Sequence, residues 1–418
     1  IRNFFLNKMT IKDHISSLQT PFFFFDKSIL KQEVKSLENV FSTYWPNYAI
    51  GYSVKTNSFP PLACYLKSLG IEAEVVSEDE YNLALTAGYD PKNIICNGPI
   101  KSQLWIDQIL QTGSLLNIDS KREIDFVIDF SKKNPTKKIS IGIRTNLDIE
   151  SYFPGESNAG EKGSRFGFCY ENGALENVIN RINEYPNIDI VGLHVHVSTK
   201  TRRIEIYRWL VRQFTRIVKQ YALKSINYLD IGGSFFGGIP NKPGWREYIS
   251  GISEELRIYG YSSQNLKLII EPGVSLLAGC FSYYTRVVDV KQTNRRNLVL
   301  LDGSRIHIDP LMHKTAYFYH IERCKKSFQP NLGNIENQDL VGFTCLENDM
   351  FFELKNTDPL QEGDIIRFDK VGAYTMTFTP LFISFFPAVY TLQETGEIDC
   401  LRPKWGVNEF IQLSKISL

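Results

Sequence analysis

Four residues whose side chains can do chemistry each follow a short apolar run of the sequence. Lys55 closes YSVKTN, Arg144 closes IGIRT, His196 lies in GLHVHVST, and Glu271 precedes Pro-Gly in IIEPG. A lysine amine can bond to an aldehyde, a histidine ring can stack or transfer a proton, and a carboxylate or guanidinium can hold a charged partner. Each residue alone has an ordinary structural explanation. A lysine at a strand end, for example, is usually a solvated surface residue. Their recurrence at the ends of separate runs predicts a shared functional site.

A glycine-rich stretch, LDIGGSFFGG, follows another of these runs. Gly232, Gly233 and Ser234 would let the backbone approach a ligand closely and offer it N–H groups, and Gly273 could add to them. The stretch fits neither the dinucleotide-binding fingerprint nor the P-loop, so neither a nicotinamide nor an ATP site is indicated. A simple turn would use the same glycines, but a phosphate site is the more specific prediction.

Side chains after separate runs can meet only if the fold brings the ends of those runs together. Apolar and β-branched runs alternate with segments whose apolar residues repeat at helical spacing. Eight such strands over roughly 240 residues predict a (β/α)8 barrel, with an open doubly wound sheet as the alternative. The predicted strands are residues 48–54, 71–76, 93–96, 115–118, 138–144, 188–196, 227–231 and 266–271.

The barrel would place all these groups on one rim, because active sites of this fold lie at the C-terminal ends of the strands. A lysine, a histidine, a carboxylate and a phosphate loop together suggest pyridoxal 5′-phosphate, with Lys55 forming the Schiff base to its aldehyde. His194 and His196 share one face of a strand and could hold an ion, but no third ligand can be assigned. No metal is predicted.

After Gly279 the alternation of strand-like and helix-like segments ends. Strand-like runs separated by Asp, Asn, Gly and Pro follow, and the last of these runs is at residues 382–392. The predicted domains are therefore a barrel at 27–279 and a mainly β domain at 280–418, which the segment 1–26 would join. A Gly-, Ser- and Glu-rich stretch at 145–172 follows the fifth strand. Such long loops are often substrate loops and as often surface decoration.

Composition excludes several classes of protein. The 418 residues include 47 Lys and Arg against 46 Asp and Glu, so a broad basic surface for nucleic acid is not expected. No apolar run is long enough to span a membrane, and the first residues lack the pattern of a secretory signal. The seven cysteines are scattered without a CxxC pair, which is typical of reduced thiols. A soluble cytoplasmic enzyme is expected.

At these same residues the sequence resembles the fold-type III pyridoxal-phosphate decarboxylases, the family of diaminopimelate, ornithine and arginine decarboxylases. The likeness spans nearly the whole chain. The motifs that carry it, in the order of the family, are TPFFFFD, YSVKTN, EVVSEDEYNLALTAG, SRFGF, GLHVHVST, LDIGGSFFGG, EPG, GFTCLEND and VGAYT. Each motif alone would be weak, and together they are specific.

The resemblance implies an alanine-racemase-like pair of domains, a homodimer with composite active sites, and a role for each matched residue. Lys55 would carry the cofactor, His196 would stack on its ring, Glu271 would pair with the ring nitrogen, and Arg144 would lie near the phenolic oxygen or the phosphate. Cys345 would donate a proton to Cα, and at least one of Cys345 and Tyr374 would come from the partner subunit. The candidates for the phosphate side are Thr199, Gly233, Ser234, Gly273 and Tyr374.

Several positions depart from the family pattern. Ser234 replaces the third glycine of the phosphate loop, Ser198-Thr199 replaces Gly-Ser, and Val274 replaces the arginine after EPG. Leu346 replaces the acidic residue after the cysteine, although Glu347 and Asp349 are near. Asp309 stands where diaminopimelate decarboxylases have an arginine. The substrate-binding candidates are therefore Asp309, Leu346 and Glu347, and Arg305 is a further neighbour that could replace a lost contact.

The expected function is α-decarboxylation of an amino acid or an amino-acid conjugate. Altered contacts to the distal end of the substrate predict that meso-diaminopimelate is not the best substrate, which would fit siderophore or antibiotic biosynthesis. Diaminopimelate decarboxylation in lysine biosynthesis is one alternative. An amino-acid racemase is another, disfavoured because racemases of this fold typically place an arginine rather than a carboxylate at the ring nitrogen. An inactive regulatory paralogue is the third, disfavoured by Lys55, Glu271 and Cys345.

Overall fold

The computed structural model describes residues 18–324, 335–412 and 414, which divide into two compact units. One unit comprises residues 31–276, and the other combines the segment ending at Leu30 with residues 277–418. No helix in the described ranges is both long and apolar enough to cross a membrane.

The described chain opens with strand β1 (Phe22–Phe25) and helix α1 (Lys27–Tyr44). All four phenylalanines of β1 are buried. Asp26 separates the two elements, and its carboxylate accepts hydrogen bonds from the backbone N–H groups of Ser28 at 2.9 Å and Ile29 at 3.1 Å. These bonds satisfy donors that the first turn of a helix leaves free, so α1 begins there.

The first unit is built on a closed barrel of eight parallel strands. Each strand pairs with its neighbours in the order β5-β4-β3-β2-β10-β9-β8-β6, and β5 pairs with β6 to close the ring. The short β7 pairs with the end of β6. This closure confirms the predicted barrel and excludes the open sheet. The strands are β2 (Tyr48–Ser53), β3 (Glu72–Val75), β4 (Ile94–Cys96), β5 (Leu115–Ile118), β6 (Ile139–Asn146), β7 (Phe168–Cys169), β8 (Ile188–His194), β9 (Tyr228–Asp230) and β10 (Lys267–Ile270).

Seven helices connect successive strands of the barrel. Their apolar residues face inward at helical spacing, as in α7, where Ile206, Leu210, Phe214 and Ile217 are all buried. Ser77 caps α3 by accepting the backbone N–H of Glu80 at 3.2 Å. The helices are α2 (Pro60–Ser68), α3 (Glu78–Thr86), α4 (Gln103–Thr112), α5 (Lys121–Lys133), α6 (Ala174–Asn183), α7 (Ile204–Gln220) and α8 (Trp245–Ile258), and the short α9 (Val274–Leu277) follows β10.

The second unit is mainly sheet, as predicted. Strand β1 lies in it between β11, which is antiparallel, and β17, which is parallel. Phe25 stacks on Phe281 of β11 with ring centroids 4.7 Å apart. The elements are β11 (Phe281–Gln292), β12 (Asn297–Leu301), α10 (Arg305–Ile308), β13 (Phe318–Glu322), β14 (Ile335–Val341), β15 (Met350–Thr357), β16 (Ile365–Asp369), β17 (Ala388–Leu392), β18 (Ile398–Arg402) and α11 (Val407–Ile411).

Two details of this sheet differ from the prediction. The strand expected at residues 382–392 begins only at Ala388, because Pro387 has no N–H to donate and Ile383 has a left-handed φ of 66°. Strands β13 and β18 were not predicted. In β13, Phe318, Tyr319 and His320 are all exposed, so the strand lacks the alternation of apolar and polar residues that reveals a half-buried strand.

Candidate active site

Lys55 stands in a single 3-10 turn directly after β2. Its Nζ lies 2.8 Å from Oε2 of Glu74, a carboxylate on β3 with only 1% of its side chain exposed, whereas the lysine side chain is 43% exposed. The hydroxyl of Ser53 donates to the same oxygen at 2.5 Å. The amine therefore sits at the open rim of the barrel, held by a buried anion.

Asn97 follows β4 and contacts two carboxylates at once. Its Nδ2 donates to Oε1 of Glu74 at 3.0 Å and to Oε1 of Glu271 at 2.6 Å. Both of these acids are buried. The amide thus joins the partner of Lys55 to the acid at the end of β10.

Behind Asn97, polar side chains continue into the barrel. The Nδ2 of Asn117 donates to Oδ1 of Asn97 at 2.9 Å and to Oδ2 of Asp230 at 3.2 Å. The hydroxyl of Tyr228 donates to Oδ1 of Asn117 at 2.7 Å. Burial raises the pKa of Tyr228 well above its usual value, so the phenol stays a donor. The donors in this network are thus all directed toward a carboxylate or toward a side-chain amide that itself donates to a carboxylate.

Two glycines after β9 fix the ring of His196. The N–H of Gly233 donates to Nδ1 of His196 at 3.1 Å. Gly232 has a φ of +69°, and a Cβ there would lie 2.5 Å from atoms of the His196 ring. Burial, Arg144 and His194 lower the pKa of His196 to about 3. The ring is therefore neutral, and its proton is on Nε2.

Glu271 is the charged member of a buried trio with His194 and Asp230. Burial alone would raise the pKa of Glu271, but His194, Asp230 and Lys55 outweigh it and hold the pKa below its ordinary value. Burial and the charge of Glu271 raise the pKa of Asp230, so the proton of this pair belongs to Asp230. The Nε2 of His194 lies 3.3 Å from Oε2 of Glu271. Glu271 is accordingly an anion at the barrel rim.

The same trio is the group of described residues whose ligand atoms could hold a metal ion, since these atoms lie within 4.8 Å of one another. Its carboxylates already have protein donors, however. Asn97 donates to Glu271, while Gly232 and Asn117 donate to the two oxygens of Asp230. The two acids of the trio are thus hydrogen-bonded to protein groups, whereas neither ring nitrogen of His194 has a hydrogen-bond partner in the described part of the chain.

Arg144 is held at the end of β6 by the SRFGF segment. Its Nη1 lies 3.5 Å from Oδ2 of Asp119, and its guanidinium lies over the ring of Phe166 at 4.6 Å. Gly167 donates its N–H to Oδ1 of Asp119 at 3.1 Å. A Cβ at Gly167 would lie 2.6 Å from the carbonyl oxygen of Arg144, so this close wrapping needs glycine.

The candidate phosphate loop has the close backbone approach that a phosphate needs. A Cβ at Gly233 would lie 2.5 Å from the carbonyl oxygen of Glu271, and one at Gly273 would lie 2.2 Å from Oγ1 of Thr56. That buried hydroxyl has no hydrogen-bond partner in the described part of the chain. Ser234 has a left-handed φ of 68°, and its carbonyl accepts the hydroxyl of Tyr207 at 2.5 Å. These residues fit a phosphorylated cofactor near Lys55.

Comparison with known proteins identifies the family of this chain. A family model described as the pyridoxal-binding domain of pyridoxal-dependent decarboxylases matches residues 29–278, more than half of the chain. The chain belongs to this family. It is a carboxy-lyase that uses pyridoxal 5′-phosphate.

This decarboxylase matches several diaminopimelate decarboxylases over almost their full length. It is 24% identical to the diaminopimelate decarboxylase of Bacteroides thetaiotaomicron, over 87% of this chain and 92% of the relative. It is also 24% identical to the Aquifex aeolicus enzyme of that name, over 98% and 95%. The diaminopimelate decarboxylase of Helicobacter pylori, solved with L-lysine, has the same fold, with a TM-score of 0.79, 24% identity, and coverage of 96% and 98%.

In the second unit of the decarboxylase, Cys345 lies in an exposed loop between β14 and β15. Asp349, four residues later, is buried and shapes this loop. Its carboxylate accepts the hydroxyl of Ser304 at 3.0 Å, the N–H of Arg305 at 2.8 Å, and both the N–H and the hydroxyl of Thr344 at 3.0 and 2.7 Å. The carboxylate of Asp349 is therefore occupied by donors of its own unit.

Asp309, predicted to contact substrate, is also surrounded by donors of its own unit. Its Oδ2 accepts both Nε and Nη2 of Arg305, at 3.0 and 2.8 Å. The N–H groups of His313 and Lys314 and the hydroxyl of Tyr317 complete the set. The guanidinium of Arg305 donates hydrogen bonds to Asp309 and to the carbonyls of Lys314 and Met350. The structure thus gives Asp309 a structural role, and its contact with substrate stays a prediction.

The remaining candidates of this unit are exposed. Leu346 is 39% exposed and Tyr374 is 37% exposed, with the tyrosine ring stacked on Phe378 at 5.5 Å. Glu347 has no hydrogen-bond or ion-pair partner among the residues that the structure describes. Its carboxylate is the one predicted substrate contact here that no neighbour occupies.

Thr199 and the long loop after β6 are linked. Thr199 is buried, and its backbone forms an isolated bridge with Ser157 of the loop. Glu156, also buried, accepts the N–H and hydroxyl of Thr201 at 3.1 and 2.7 Å and lies 3.0 Å from Nη2 of Arg203. The loop at 147–172 is thus fastened to the segment after β8, beside a candidate for the phosphate side.

Three residues of this network were missed from the sequence. Glu74, Asn97 and Asn117 each interrupt or end an apolar run, in EAEVV, IICN and LLNI. A polar side chain in a buried strand needs a partner, because leaving it unpaired is costly. That signal was available, but it does not say which partner would be found.

Proposed function

We propose that this decarboxylase removes the α-carboxyl group of diaminopimelate or a closely similar diamino acid. The observation that carries the proposal is the cluster at the barrel rim, where Lys55, paired with Glu74, is connected through one amide to the anionic Glu271. Curated relatives named diaminopimelate decarboxylase, which match nearly end to end, support the choice of substrate.

Each residue of the rim has a task in this reaction. Bound pyridoxal phosphate supplies a ring that takes up the electron pair left at Cα when carbon dioxide departs. Lys55 would hold the aldehyde carbon covalently until substrate amine replaces it. Glu271 would hold a proton at the ring nitrogen, which strengthens the ring as an electron acceptor. His196, neutral and fixed by Gly233, would stack on the ring.

The remaining tasks concern the phosphate and the new proton at Cα. Arg144 would lie near the phenolic oxygen or the phosphate, and the N–H groups of Gly233 and Ser234 would bind the phosphate together with Thr199, Gly273 and Tyr374. Cys345 would donate the proton that replaces the carboxylate. The family resemblance supports a homodimer in which at least one of Cys345 and Tyr374 comes from the partner chain.

A second candidate is a decarboxylase with altered specificity for the distal end of its substrate. Val274 and Leu346 lack the charges that the family places there, and Arg305 and Asp349 are occupied by partners within their own unit. A buried distal ammonium and carboxylate would then lack their partners, at a cost of ~2–5 kcal/mol, or about 30- to 4,000-fold in specificity. Such an enzyme would favour a substrate without these groups or a larger conjugate read by the loop around Gly155–Gly163, as in siderophore or antibiotic biosynthesis.

One experiment separates these possibilities. Purified protein is incubated with meso-diaminopimelate, other amino acids and conjugated amino acids, and loss of carbon dioxide is followed by mass spectrometry, with Lys55→Ala as the inactive control. The highest kcat/KM for meso-diaminopimelate would support the first candidate, and a better substrate without the distal amino-carboxylate would support the second. Racemisation without release of carbon dioxide would contradict both.

A further inference from the structure

The amide of Asn97 spans the interior of the barrel. It follows β4, whereas Glu74 lies on β3 and Glu271 follows β10, and β2 separates β3 from β10 in the strand order. All three side chains are buried: Asn97 is 2% exposed, Glu74 1% and Glu271 6%. Within this buried region the two hydrogens of one NH₂ group are donated to two different carboxylates, at 3.0 and 2.6 Å.

The orientation of this amide is fixed by its neighbours. Asn117 donates to Oδ1 of Asn97, and Tyr228 in turn donates to Oδ1 of Asn117. If the Asn97 amide were reversed, its oxygen would face two carboxylate oxygens and its NH₂ would face the NH₂ of Asn117. The pattern of donors therefore allows one arrangement, in which Asn97 gives both of its hydrogens to acids.

Two carboxylates that meet at one group in a buried site repel each other, and one of them normally takes up a proton. A donor to each charged form opposes this, because hydrogen bonds to a carboxylate favour its ionised state. At Glu74 the negative charge holds Lys55, and at Glu271 it faces the ring nitrogen in the reaction proposed above. The shared amide thus stands between the two groups on which the cofactor depends.

We infer that Asn97 is a positioning residue that keeps Glu74 and Glu271 ionised together and so couples the amine of Lys55 to the acid that faces the cofactor ring. The inference goes beyond decarboxylation itself and rests on the pyridoxal-phosphate cofactor of the family. It does not depend on the identity of the substrate.

The test is a pH titration of the visible absorbance of the cofactor-loaded protein in the absence of substrate. Asn97→Asp is nearly isosteric but replaces two donors with a further carboxylate, in a cluster that already holds Glu74, Glu271 and, through Asn117, Asp230. The basic groups that face these acids are Lys55 at Glu74 and His194 at Glu271. The cluster should then hold a proton to higher pH, which moves the midpoint of the titration up by ~1–3 pH units. A midpoint equal to that of the wild type would overturn the inference. It would leave the proposed decarboxylation untouched, because no substrate is present.

Asn187→Asp is the matched control. Asn187 lies just before β8, at the opposite end of the barrel, and its amide contacts the carbonyls of Ser131, Asn134 and Lys137 at 3.3–3.4 Å. This substitution also removes amide donors from a partly buried site, but it adds no charge near Glu271. Its titration should superimpose on that of the wild type, and a shift equal to that of Asn97→Asp would overturn the inference.

A double variant tests the sharing itself. Combining Glu74→Gln with Asn97→Asp restores the wild-type number of carboxyl groups to the cluster, with one amide now at position 74. The midpoint should return toward the wild-type value, whereas a midpoint that stays at that of Asn97→Asp alone would overturn the inference. If Asn97→Asp alone does not fold, the double variant should fold, because the excess charge is gone. An unfolded double variant beside folded Glu74→Gln and Asn187→Asp proteins would equally overturn it.

Discussion

The backbone N–H of Gly233 donates to Nδ1 of His196 at 3.1 Å, so a glycine of the phosphate loop determines which nitrogen of that ring carries the proton. Burial and the nearby cations lower the pKa of His196 to about 3, and the ring stays neutral throughout the physiological range. The loop that would bind the phosphate and the ring that would stack on the cofactor are therefore one rigid arrangement. Disturbing either one should disturb cofactor binding.

Gly232→Ala is expected to weaken cofactor binding by about 10-fold or more, which corresponds to ~1.4 kcal/mol. The added methyl group would lie 2.5 Å from His196 and displace its ring. Gly238→Ala is the control, because Gly238 also has a left-handed φ of +58° but has no atom within 4 Å of the position of a Cβ. Both variants bear the backbone strain of ~1–3 kcal/mol, and only the first has the clash. Spectroscopic titration with pyridoxal phosphate measures the difference, and equal affinities would refute the arrangement.

Lys55→Ala should abolish the covalent lysine–cofactor adduct that borohydride reduction traps in the wild type. The comparison is Lys101→Met, since Lys101 is a second interior lysine of the barrel. Its Nζ is buried and bound to the carbonyl of Gly98 at 2.7 Å and to Glu123 at 3.0 Å, so it is not free to react. Peptide mapping of the reduced protein identifies the labelled lysine. Label on any lysine other than Lys55 would show that the site has been misassigned.

Cys345→Ala should slow product formation by ~10²–10⁴-fold, the usual contribution of a general acid, while cofactor affinity changes little. If the active sites are composite, mixing this variant with Lys55→Ala should restore part of the activity, since some mixed dimers then contain one intact site. Activity assays after proven subunit exchange provide the measurement. No restoration under those conditions would place Lys55 and Cys345 of one site on the same chain.

Asp349→Asn should destabilise the second unit by about 1–3 kcal/mol. The substitution turns one oxygen of a buried acceptor into a donor that faces Ser304, Arg305 and Thr344, all of which donate to it. Glu347→Gln, two residues earlier in the same loop and exposed, should change stability by no more than about 0.5 kcal/mol. Urea unfolding of the two proteins measures their free energies of unfolding. Equal destabilisation would mean that Asp349 does not shape the loop.

The stability of the second unit should fall as the pH is lowered from about 6.5 toward 4. Burial lowers the pKa of His307 to about 4, so below pH 6.5 the unfolded chain binds a proton that the folded unit does not. Unfolding then becomes easier by about 1.4 kcal/mol per pH unit from this group, and the effect is absent above the ordinary pKa of histidine. Urea unfolding at pH 7 and pH 5 should show a smaller change for His307→Gln than for the wild type. An identical pH dependence would mean that His307 is accessible to protons in the folded state.

The barrel could be predicted because its signal is local. Each strand is a short apolar run, and each helix shows apolar residues at helical spacing. Once these elements form a barrel, its topology places Lys55, Arg144, His196 and Glu271 at the rim. The partners of these residues do not follow in the same way. Asn97 and Glu271 are 174 residues apart, and their contact exists only because β10 returns to β2 and closes the ring. No pattern along the chain contains that information.

The prediction for Asp309 illustrates a different limit. Its charge and its place in the motif suggested contact with substrate, but the turn that follows brings two N–H groups and a tyrosine hydroxyl to the same carboxylate. A side chain saturated by nearby residues cannot be distinguished by residue type from one left open to ligand. Glu347 also carries a carboxylate but has no such partner among the described residues, and only the fold reveals that difference.

Strand β1 has a consequence for the order in which this chain can fold during synthesis. Its two partners begin at Phe281 and Ala388, whereas the barrel is a single continuous segment that can be complete before either exists. The four adjacent phenylalanines of β1 are therefore synthesised long before their strand partners. An apolar strand in that state is prone to pair with another chain. Chains that end before Ala388 are thus expected to aggregate through β1, even though their barrel is already whole.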